Sequence, residues 1–318
     1  MQPSPTLSHS EQLAVTADIR TRKLRAARLS VMSNSALTLV KLIVGTWSGS
    51  VGILSEAVHS STDLVASIIA LFAVRASDTP PDPEHPYGHG KIESVSGLVE
   101  AMLIFGAAGY ILYEIAARLK YPTVSQSRAI NAGIVVMAFS MVANIFISRM
   151  LSRVARETDS EALRADAAHL NTDVITSFGV FLGLLLVRTT GVAWYDSLVA
   201  AGVAILLVVT AVKLTRDAMR LLLDYRLPHA EEQLIIRILE DDPRVLGFHK
   251  LRTRKSGSMR HADVHVQMDD ECTLVFAHEV TESIEDAIRA ALPGIVINIH
   301  IEPYHYEMRH QKEMHGGS

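Results

Sequence analysis

Six apolar stretches, each long enough to cross a lipid bilayer, occupy most of the first 215 residues. A window of about 19 residues places them near 29–47, 52–76, 94–117, 129–151, 165–188 and 195–215. A helix needs about 20 residues to cross about 30 Å of hydrocarbon, and it satisfies its own backbone hydrogen bonds there. The pattern therefore predicts an all-α membrane domain of six transmembrane helices.

The composition agrees with a folded membrane protein. Hydrophobic residues make up 49% of the 318 residues and charged residues 20%, with a mean hydropathy of +0.23 and a formal charge of -4. These values exclude a disordered chain, which needs low hydrophobicity and high net charge. Residues 1–17 lack the compact apolar run of a secretory signal peptide, so none is expected.

Several classes of chemistry have no sequence support. The single cysteine, Cys272, cannot form an internal disulfide or a Cys-x-x-Cys centre, so metal ligands must be histidines and carboxylates. The chain has no Gly-x-x-x-x-Gly-Lys phosphate loop for ATP, and His278-Glu279 lacks the second histidine of a metalloprotease motif. A basic groove with interleaved aromatic residues is also missing, so no nucleic-acid partner is expected.

Basic residues predict the orientation in the membrane. They cluster before the first span, around the fourth-to-fifth connection and after the sixth span, as Arg20, Arg22, Lys23, Arg25, Arg28, Arg149, Arg153, Arg156, Arg164, Lys213, Arg216 and Arg220. Because positively charged segments stay in the cytoplasm, both termini are expected there, in a bacterial-type inner membrane. Arg118, Lys120 and Arg128 run against this bias.

After residue 228 the sequence changes to a soluble pattern. It predicts a helix at 229–241, strands at 247–255 and 260–268, a helix at 273–291 and a strand at 295–301. This α-β-β-α-β order is typical of a small α+β sandwich. The expected domains are a cytoplasmic N-terminal segment (1–27), a six-helix transmembrane domain (28–216), a linker (217–228), a cytoplasmic α+β domain (229–305) and a loose tail (306–318).

The strongest chemical signal is a His-x-x-x-Asp spacing that recurs in two predicted spans. His59 and Asp63 lie in the second span, and His169 and Asp173 lie in the fifth. A separation of four places both side chains on one helical face, so two such faces offer two nitrogens and two oxygens to a tetrahedral ion such as zinc. The alternative is a pair of His–Asp hydrogen bonds without a metal. Glu56 is either a partner of these ligands or an interfacial residue.

A second candidate site lies in the connection between the second and third spans. Asp82, His85 and His89 surround a tight turn that Pro86 and Gly88 make possible. The three side chains are candidate ligands of a second metal ion. The alternative is an ordered turn whose histidines bind only the backbone.

Nine of the fourteen histidines lie in the predicted soluble domain and tail. His249, His265 and His300 fall on the three strands, His278 falls on the intervening helix, and Glu302 shares a strand face with His300. Each histidine alone is more often a surface residue, whereas the group predicts a metal site. No metal role is expected for His261, His305, His310 and His315.

These motifs together resemble the cation diffusion facilitator family of cation-efflux transporters. The resemblance rests on Ser50-Val51-x-Ile53-Leu54 before His59-x-x-x-Asp63, on His85-Pro86-Tyr87-Gly88-His89-Gly90-Lys91-x-Glu93-Ser94, and on His169-x-x-x-Asp173. The motifs occur in order, and the similarity covers about residues 25–303.

The resemblance implies a six-helix domain and a metallochaperone-like cytoplasmic domain that work as a homodimer. It implies a transport site of His59, Asp63, His169 and Asp173, a loop site of Asp82, His85 and His89, and a binuclear cytoplasmic site of His249, His265, His278, His300 and Glu302. The family more often has Asp at the last of these positions. Lys91 resembles the basic partner of an acid after the last span, and Asp224 is the candidate acid.

The implied activity is the exchange of a divalent metal ion for protons. The His-Asp pattern resembles the zinc-preferring type, and two nitrogens with two oxygens favour zinc or cadmium over manganese. Ligand type alone leaves iron, cobalt and nickel open. The metal would be substrate and regulatory ligand, and no prosthetic group is expected.

Two other functions stay open at this point. One is a non-transporting membrane-anchored metal sensor or scaffold, which would bind metal without moving it. The other is an intramembrane metal-dependent hydrolase, which the sequence supports less because no general base accompanies the ligands.

Overall fold

The computed structural model describes residues 9–48, 51–120, 130–192 and 194–315. Contacts within the chain divide it into two compact units, and the described residues of the two are 15–219 in one and 9–14 with 220–315 in the other. The first unit is helical, and the second contains a three-stranded sheet. The predicted fold class, a helical membrane domain followed by an α+β domain, is confirmed.

Six long helices form the first unit. They are α1 (His9–Ser48), α2 (Val51–Ser77), α3 (Ile92–Lys120), α4 (Ile130–Thr158), α5 (Glu161–Thr190) and α6 (Trp194–Leu222). Among the described residues, four stretches are long and apolar enough to cross a membrane: Ala17–Trp47, Ala57–Ser77, Ile92–Ala117 and Ser197–Leu222. The predicted spans at 129–151 and 165–188 fall in α4 and α5, while Arg128 and residue 129 lie outside the described residues.

Helix α1 begins well before the apolar stretch that predicts it. Its first residue is His9, whereas the predicted span covers 29–47. Hydropathy marks the part of a helix that crosses the bilayer and carries no signal for a polar extension outside it. The N-terminal cytoplasmic segment of the prediction is therefore largely helical in the structure.

Helix α5 packs against α2, α3 and α4 through small side chains. Ala167 shares a buried cluster with Ala73 of α2 and Ala155 of α4, and Ala165 shares another with Ala101 of α3. Small residues let helix backbones approach closely, which drives helix association in lipid because the lipid tails are as apolar as leucine. Larger apolar side chains face outward, including Met32, Phe72, Tyr113, Phe146 and Val209.

A buried ion pair joins the helix ends beside the 78–91 connection. Lys23 of α1 donates to Glu93 of α3, with 3.0 Å between Nζ and Oε1, and both residues are almost completely buried. Ser77 donates to the same oxygen at 2.9 Å, and Ser160, just before α5, donates to Oε2 at 2.6 Å. Because both carboxylate oxygens are hydrogen-bonded, the charge of Glu93 is compensated in the interior.

The second unit has its elements in the predicted α-β-β-α-β order. They are α7 (His229–Glu240), β1 (Gly247–Ser256), β2 (Met259–Met268), α8 (Leu274–Ala291) and β3 (Ile295–Pro303), followed by α9 (Tyr304–His315). Strand β1 is antiparallel to β2, and β2 is parallel to β3. Gly257, with φ +59°, makes the hairpin turn between β1 and β2, where a positive φ favours glycine.

One face of the sheet packs against helices α7 and α8. Val264 and Val266 of β2 are buried together with Ile235 of α7 and Ile284 of α8. Since successive side chains of a strand point to opposite faces, the side chain of His265 points away from these helices. The hydrophobic core therefore leaves the other face of the sheet free for polar side chains.

The C-terminal segment differs from its prediction. Residues from Tyr306, predicted as a loose tail, are helical in α9. The Asp270 carboxylate accepts from the backbone N–H groups of His305 at 2.8 Å and Tyr306 at 3.1 Å, which satisfies groups that the start of a helix leaves unpaired. The cap comes from 35 positions away, so no local sequence signal marks this helix.

Replacement of Glu93 by alanine tests the buried ion pair. The substitution removes the closest carboxylate of Lys23 and leaves Asp78, 3.7 Å from Nζ, as the nearest one in the described part of the chain. Breaking a buried pair from one side costs about 3–5 kcal/mol. We expect a large drop in the melting temperature of the purified protein in detergent.

The matched control is Glu157→Ala, which removes ion pairs with the exposed side chains of Arg153 and Arg22. Exposed pairs contribute little because water and salt screen them. This variant should melt close to the unmodified protein. Equal losses for the two variants would contradict a special role for the buried pair.

Candidate metal centres

The four predicted transport residues lie on α2 and α5, and ligand atoms of three of them, His59, Asp63 and Asp173, lie within 4.8 Å of one another. His169 Nε2 lies 3.3 Å from Asp63 Oδ1, and His59 Nε2 lies 3.8 Å from Asp173 Oδ1. The pairing is crosswise, as two antiparallel helices with the same His-x-x-x-Asp spacing require. Asp63, His169 and Asp173 are buried, whereas the His59 side chain is 42% exposed.

The separations suit a tetrahedral ion. Zinc binds nitrogen at about 2.0–2.1 Å and oxygen at about 2.0–2.2 Å, so two of its tetrahedral ligands lie about 3.3–3.5 Å apart. The buried pair of His169 and Asp63 already has this spacing, and the His59–Asp173 pair exceeds it slightly. The buried pair is also within hydrogen-bond reach, as in the alternative without a metal.

Two further buried acids lie close to this site and are absent from the sequence-based prediction. Glu100 of α3 and Asp166 of α5 are both completely buried, and Glu100 Oε2 lies 3.6 Å from His169 Nδ1. Their signal exists in the sequence, because Glu100 follows Glu93 by two helical turns and Asp166 precedes His169 by one. Acids at membrane depth are candidates for function.

The three predicted loop residues also converge. The Asp82 carboxylate lies between two rings, with Oδ1 3.2 Å from His85 Nδ1 and Oδ2 3.4 Å from His89 Nε2. The backbone N–H of His85 donates to Asp82 Oδ1 at 2.6 Å and lowers the pKa of that carboxyl. Gly88 closes the turn with φ +75°. The segment is thus an ordered turn that presents one carboxylate and two imidazoles to one point.

Three of the predicted cytoplasmic ligands meet on the sheet face opposite α7 and α8. Strand register pairs His249 with His265 and His265 with His300, so the imidazoles form a row across the sheet. Glu302 Oε2 lies 2.7 Å from His249 Nε2, and its Oε1 lies 2.5 Å from His265 Nδ1. These are hydrogen-bond lengths, and a tetrahedral ion would need about 0.6–0.9 Å more between carboxylate and rings.

The other two members of the predicted cytoplasmic set lie differently. The His300 ring is centred 4.6 Å from the His265 ring, and its Nε2 lies 3.9 Å from Glu302 Oε1, at the exposed edge of the cluster. His278 lies on α8, exposed and 3.5 Å from Glu282. Because α8 covers the opposite face of the sheet, the fold of one chain does not bring His278 to the cluster, and its place in the site stays a prediction.

The predicted Lys91–Asp224 ion pair would join residues of the two units. Within the C-terminal unit, Asp224 Oδ1 lies 3.4 Å from Arg254 Nη1. Asp224 therefore has a basic neighbour of its own unit, and its pairing with Lys91 stays a prediction.

Comparison with known proteins decides the family. A model of the cation efflux transmembrane domain matches residues 27–223, and a model of the cytoplasmic domain of cation efflux proteins matches residues 227–304. The chain belongs to the cation diffusion facilitator family. As a member of this cation-efflux family it is a transporter and an integral membrane protein rather than a catalytic enzyme.

Individual relatives agree with this family. The cation-efflux pump FieF of Salmonella schwarzengrund (strain CVM19633) and that of Salmonella agona (strain SL483) are each 37% identical over 284 residues, which cover 88% of this chain and 92% of the relative. The metal-bound C-terminal domain of the CzcD transporter from Thermotoga maritima is 26% identical, with 24% of this chain and 95% of that chain covered and a TM-score of 0.23.

The pH dependence of stability tests the hydrogen bonds of the cytoplasmic cluster. Burial raises the pKa of Glu302, but hydrogen bonds from His265 and His249 outweigh it and hold that pKa below its usual value. A carboxyl with a lowered folded pKa stabilises the fold above its unfolded pKa of about 4.3, and this contribution is lost as the pH falls through the lower folded value.

We therefore expect the amide-exchange protection of β3, measured on chelator-treated protein and corrected for intrinsic rates, to fall more steeply below about pH 4.3 in the unmodified protein than in Glu302→Gln. Glutamine does not titrate, so the variant lacks the proton uptake at position 302 that accompanies unfolding in the unmodified protein. The same pH dependence in both proteins would show that Glu302 is not held ionised by its two histidines.

Proposed function

We propose that this cation-efflux protein exports Zn2+ in exchange for protons, by alternating access around His59, Asp63, His169 and Asp173. The observation that carries the proposal is the crosswise pairing of two histidines and two aspartates at ligand separations inside the helical unit. Ionisable side chains are costly at membrane depth. A divalent cation bound between them offsets that cost.

Zinc is the ion that this donor set fits best. Two imidazole nitrogens and two carboxylate oxygens form a tetrahedral set, the geometry that zinc adopts most often in proteins. Manganese and magnesium prefer sites with more oxygen ligands. Cadmium, iron, cobalt and nickel share enough of this ligand chemistry to serve as competing substrates in a test.

Protons are the proposed counter-substrate because they compete with the metal for the same atoms. Zinc binds imidazole only at an unprotonated nitrogen and binds carboxylate in its ionised form. Imidazole has a reference pKa of about 6.5, so a modest change of surroundings between two conformations exchanges metal for proton near physiological pH. The proposed direction is outward across a bacterial-type inner membrane, with both termini in the cytoplasm.

The cytoplasmic cluster is proposed to regulate transport. In the structure Glu302 binds His249 and His265 through short hydrogen bonds, and a metal ion would replace both contacts. A ligand shifts a conformational equilibrium only through such a difference in contacts between two states. We propose that the protein is a homodimer whose cytoplasmic domains respond to this binding, with Asp82, His85 and His89 as a further metal site.

Zinc flux into proteoliposomes with an imposed pH gradient tests the proposed transport site. Asp173→Ala removes one of the four ligands and leaves the loop and cytoplasmic clusters intact. Because even indirect partners of metal ligands change affinity by about 10–100-fold, we expect the loss of a ligand to lower the flux by at least about tenfold. Cadmium, iron and manganese serve as alternative ions in the same assay.

The control variant is Asp286→Ala, which removes an exposed acid on α8. It should transport zinc as the unmodified protein does. Zinc flux that persists in Asp173→Ala would contradict the proposed site. Zinc flux that does not depend on the pH gradient would contradict the proposed exchange with protons. Metal binding without flux of any of the ions would favour the non-transporting sensor instead.

A further inference from the structure

Glu100 is a buried acid that the proposed four-residue site does not use. Its carboxylate lies inside the helical unit with no exposed surface, and neither oxygen has a hydrogen-bond partner within the described part of the protein. A buried polar group without a partner is unfavourable, and such a group in a native structure calls for a functional explanation.

The nearest basic group to Glu100 is the ring of His169. This ring lies between two carboxylates, with Nε2 3.3 Å from Asp63 Oδ1 and Nδ1 3.6 Å from Glu100 Oε2. The two nitrogens lie on different edges of the imidazole, so Asp63 and Glu100 contact different nitrogens of the ring. Nδ1 has no hydrogen-bond partner within 3.5 Å among the described residues.

The two edges of the His169 ring thus lie beside different acids. Nε2 lies beside Asp63, a proposed metal ligand, and Nδ1 lies beside Glu100. A histidine that binds a metal through one nitrogen usually donates the N–H of the other nitrogen to a carboxylate, which fixes the tautomer and the ring orientation. Glu100 has the chemistry and the position of such an acceptor.

We propose that Glu100 is a positioning residue for the transport site. It accepts the Nδ1–H of His169, so that the lone pair of Nε2 points at the metal. This inference rests on the proposed transport function. The 3.6 Å separation is just longer than a hydrogen bond, and a shift of about 0.4 Å brings it to ordinary length.

Glu100 is not itself a ligand in this account. Its contact is to Nδ1 of the His169 ring, whereas Asp63 contacts Nε2 on the other edge of that ring. Helix α3, which carries no ligand of the proposed site, thereby acquires a role in metal binding. It places an acceptor behind the ligand of a neighbouring helix.

The test compares Glu100→Gln with Glu100→Met in the full-length protein. Glutamine keeps an acceptor oxygen at the same distance from the backbone, whereas methionine has a similar size and offers no comparable acceptor. Both are made in a background with Asp82→Ala and Glu302→Ala, so that zinc competition with a chelator reports mainly on the transport site. We expect about 10–100-fold weaker zinc binding for methionine and most of the affinity restored for glutamine.

Two further measurements distinguish a positioning role of Glu100 from a general effect on the stability of the protein. Glu93→Gln changes a carboxylate that is equally buried on the same helix, and it should lower the melting temperature without weakening zinc binding. Co2+ absorption reports the ligand geometry, and it should change in Glu100→Met and stay the same in Glu93→Gln. Unaltered zinc affinity and cobalt spectrum in Glu100→Met would overturn the proposal, as would equal losses for methionine and glutamine.

His169→Ala in the same background keeps this test distinct from a test of the transport site. If His169→Ala loses zinc binding while Glu100→Met retains it, only the positioning role fails. If His169→Ala also binds zinc normally, the proposed transport site itself fails, and with it the role of Glu100.

Discussion

A charge that leaves water must meet an opposite charge or a hydrogen-bonding partner, and this requirement organises the helical unit. At the helix ends beside the 78–91 connection, Glu93 is compensated by Lys23 and two serine hydroxyls. Around His169 the balance is different, because four buried acids surround it: Asp63, Glu100, Asp166 and Asp173. We propose that a divalent cation supplies the positive charge that this excess of carboxylates lacks.

The same donor types occur at two kinds of spacing, and the spacing separates their proposed roles. Between α2 and α5 the His–Asp separations are 3.3 and 3.8 Å, close to those of ligands on one tetrahedral ion. On the sheet, Glu302 lies 2.7 and 2.5 Å from its histidines, so a metal must part groups that are already bonded. A site whose ligand atoms already have the separations of a bound ion suits the exchange of a transported ion. A site whose ligands must first break hydrogen bonds with one another changes structure when metal binds, which suits regulation.

Spacing rules made much of this arrangement predictable from the sequence. The two His-x-x-x-Asp motifs predicted the four residues that pair between α2 and α5, and the change of pattern after residue 228 predicted the α-β-β-α-β order. The features that these rules did not predict depend on residues far along the chain. Helix α9, for example, starts at a cap from Asp270. Glu100 comes close to His169 only because α3 packs against α5, and local spacing in the sequence does not predict that contact.

We propose that a single zinc ion is held by two histidines and two aspartates between α2 and α5. The test is X-ray absorption at the zinc edge, on protein with Asp82→Ala and Glu302→Ala and one equivalent of zinc. We expect four nitrogen and oxygen neighbours at about 2.0–2.2 Å, with outer-shell scattering from two imidazoles. Six oxygen neighbours, or no imidazole scattering, would contradict it.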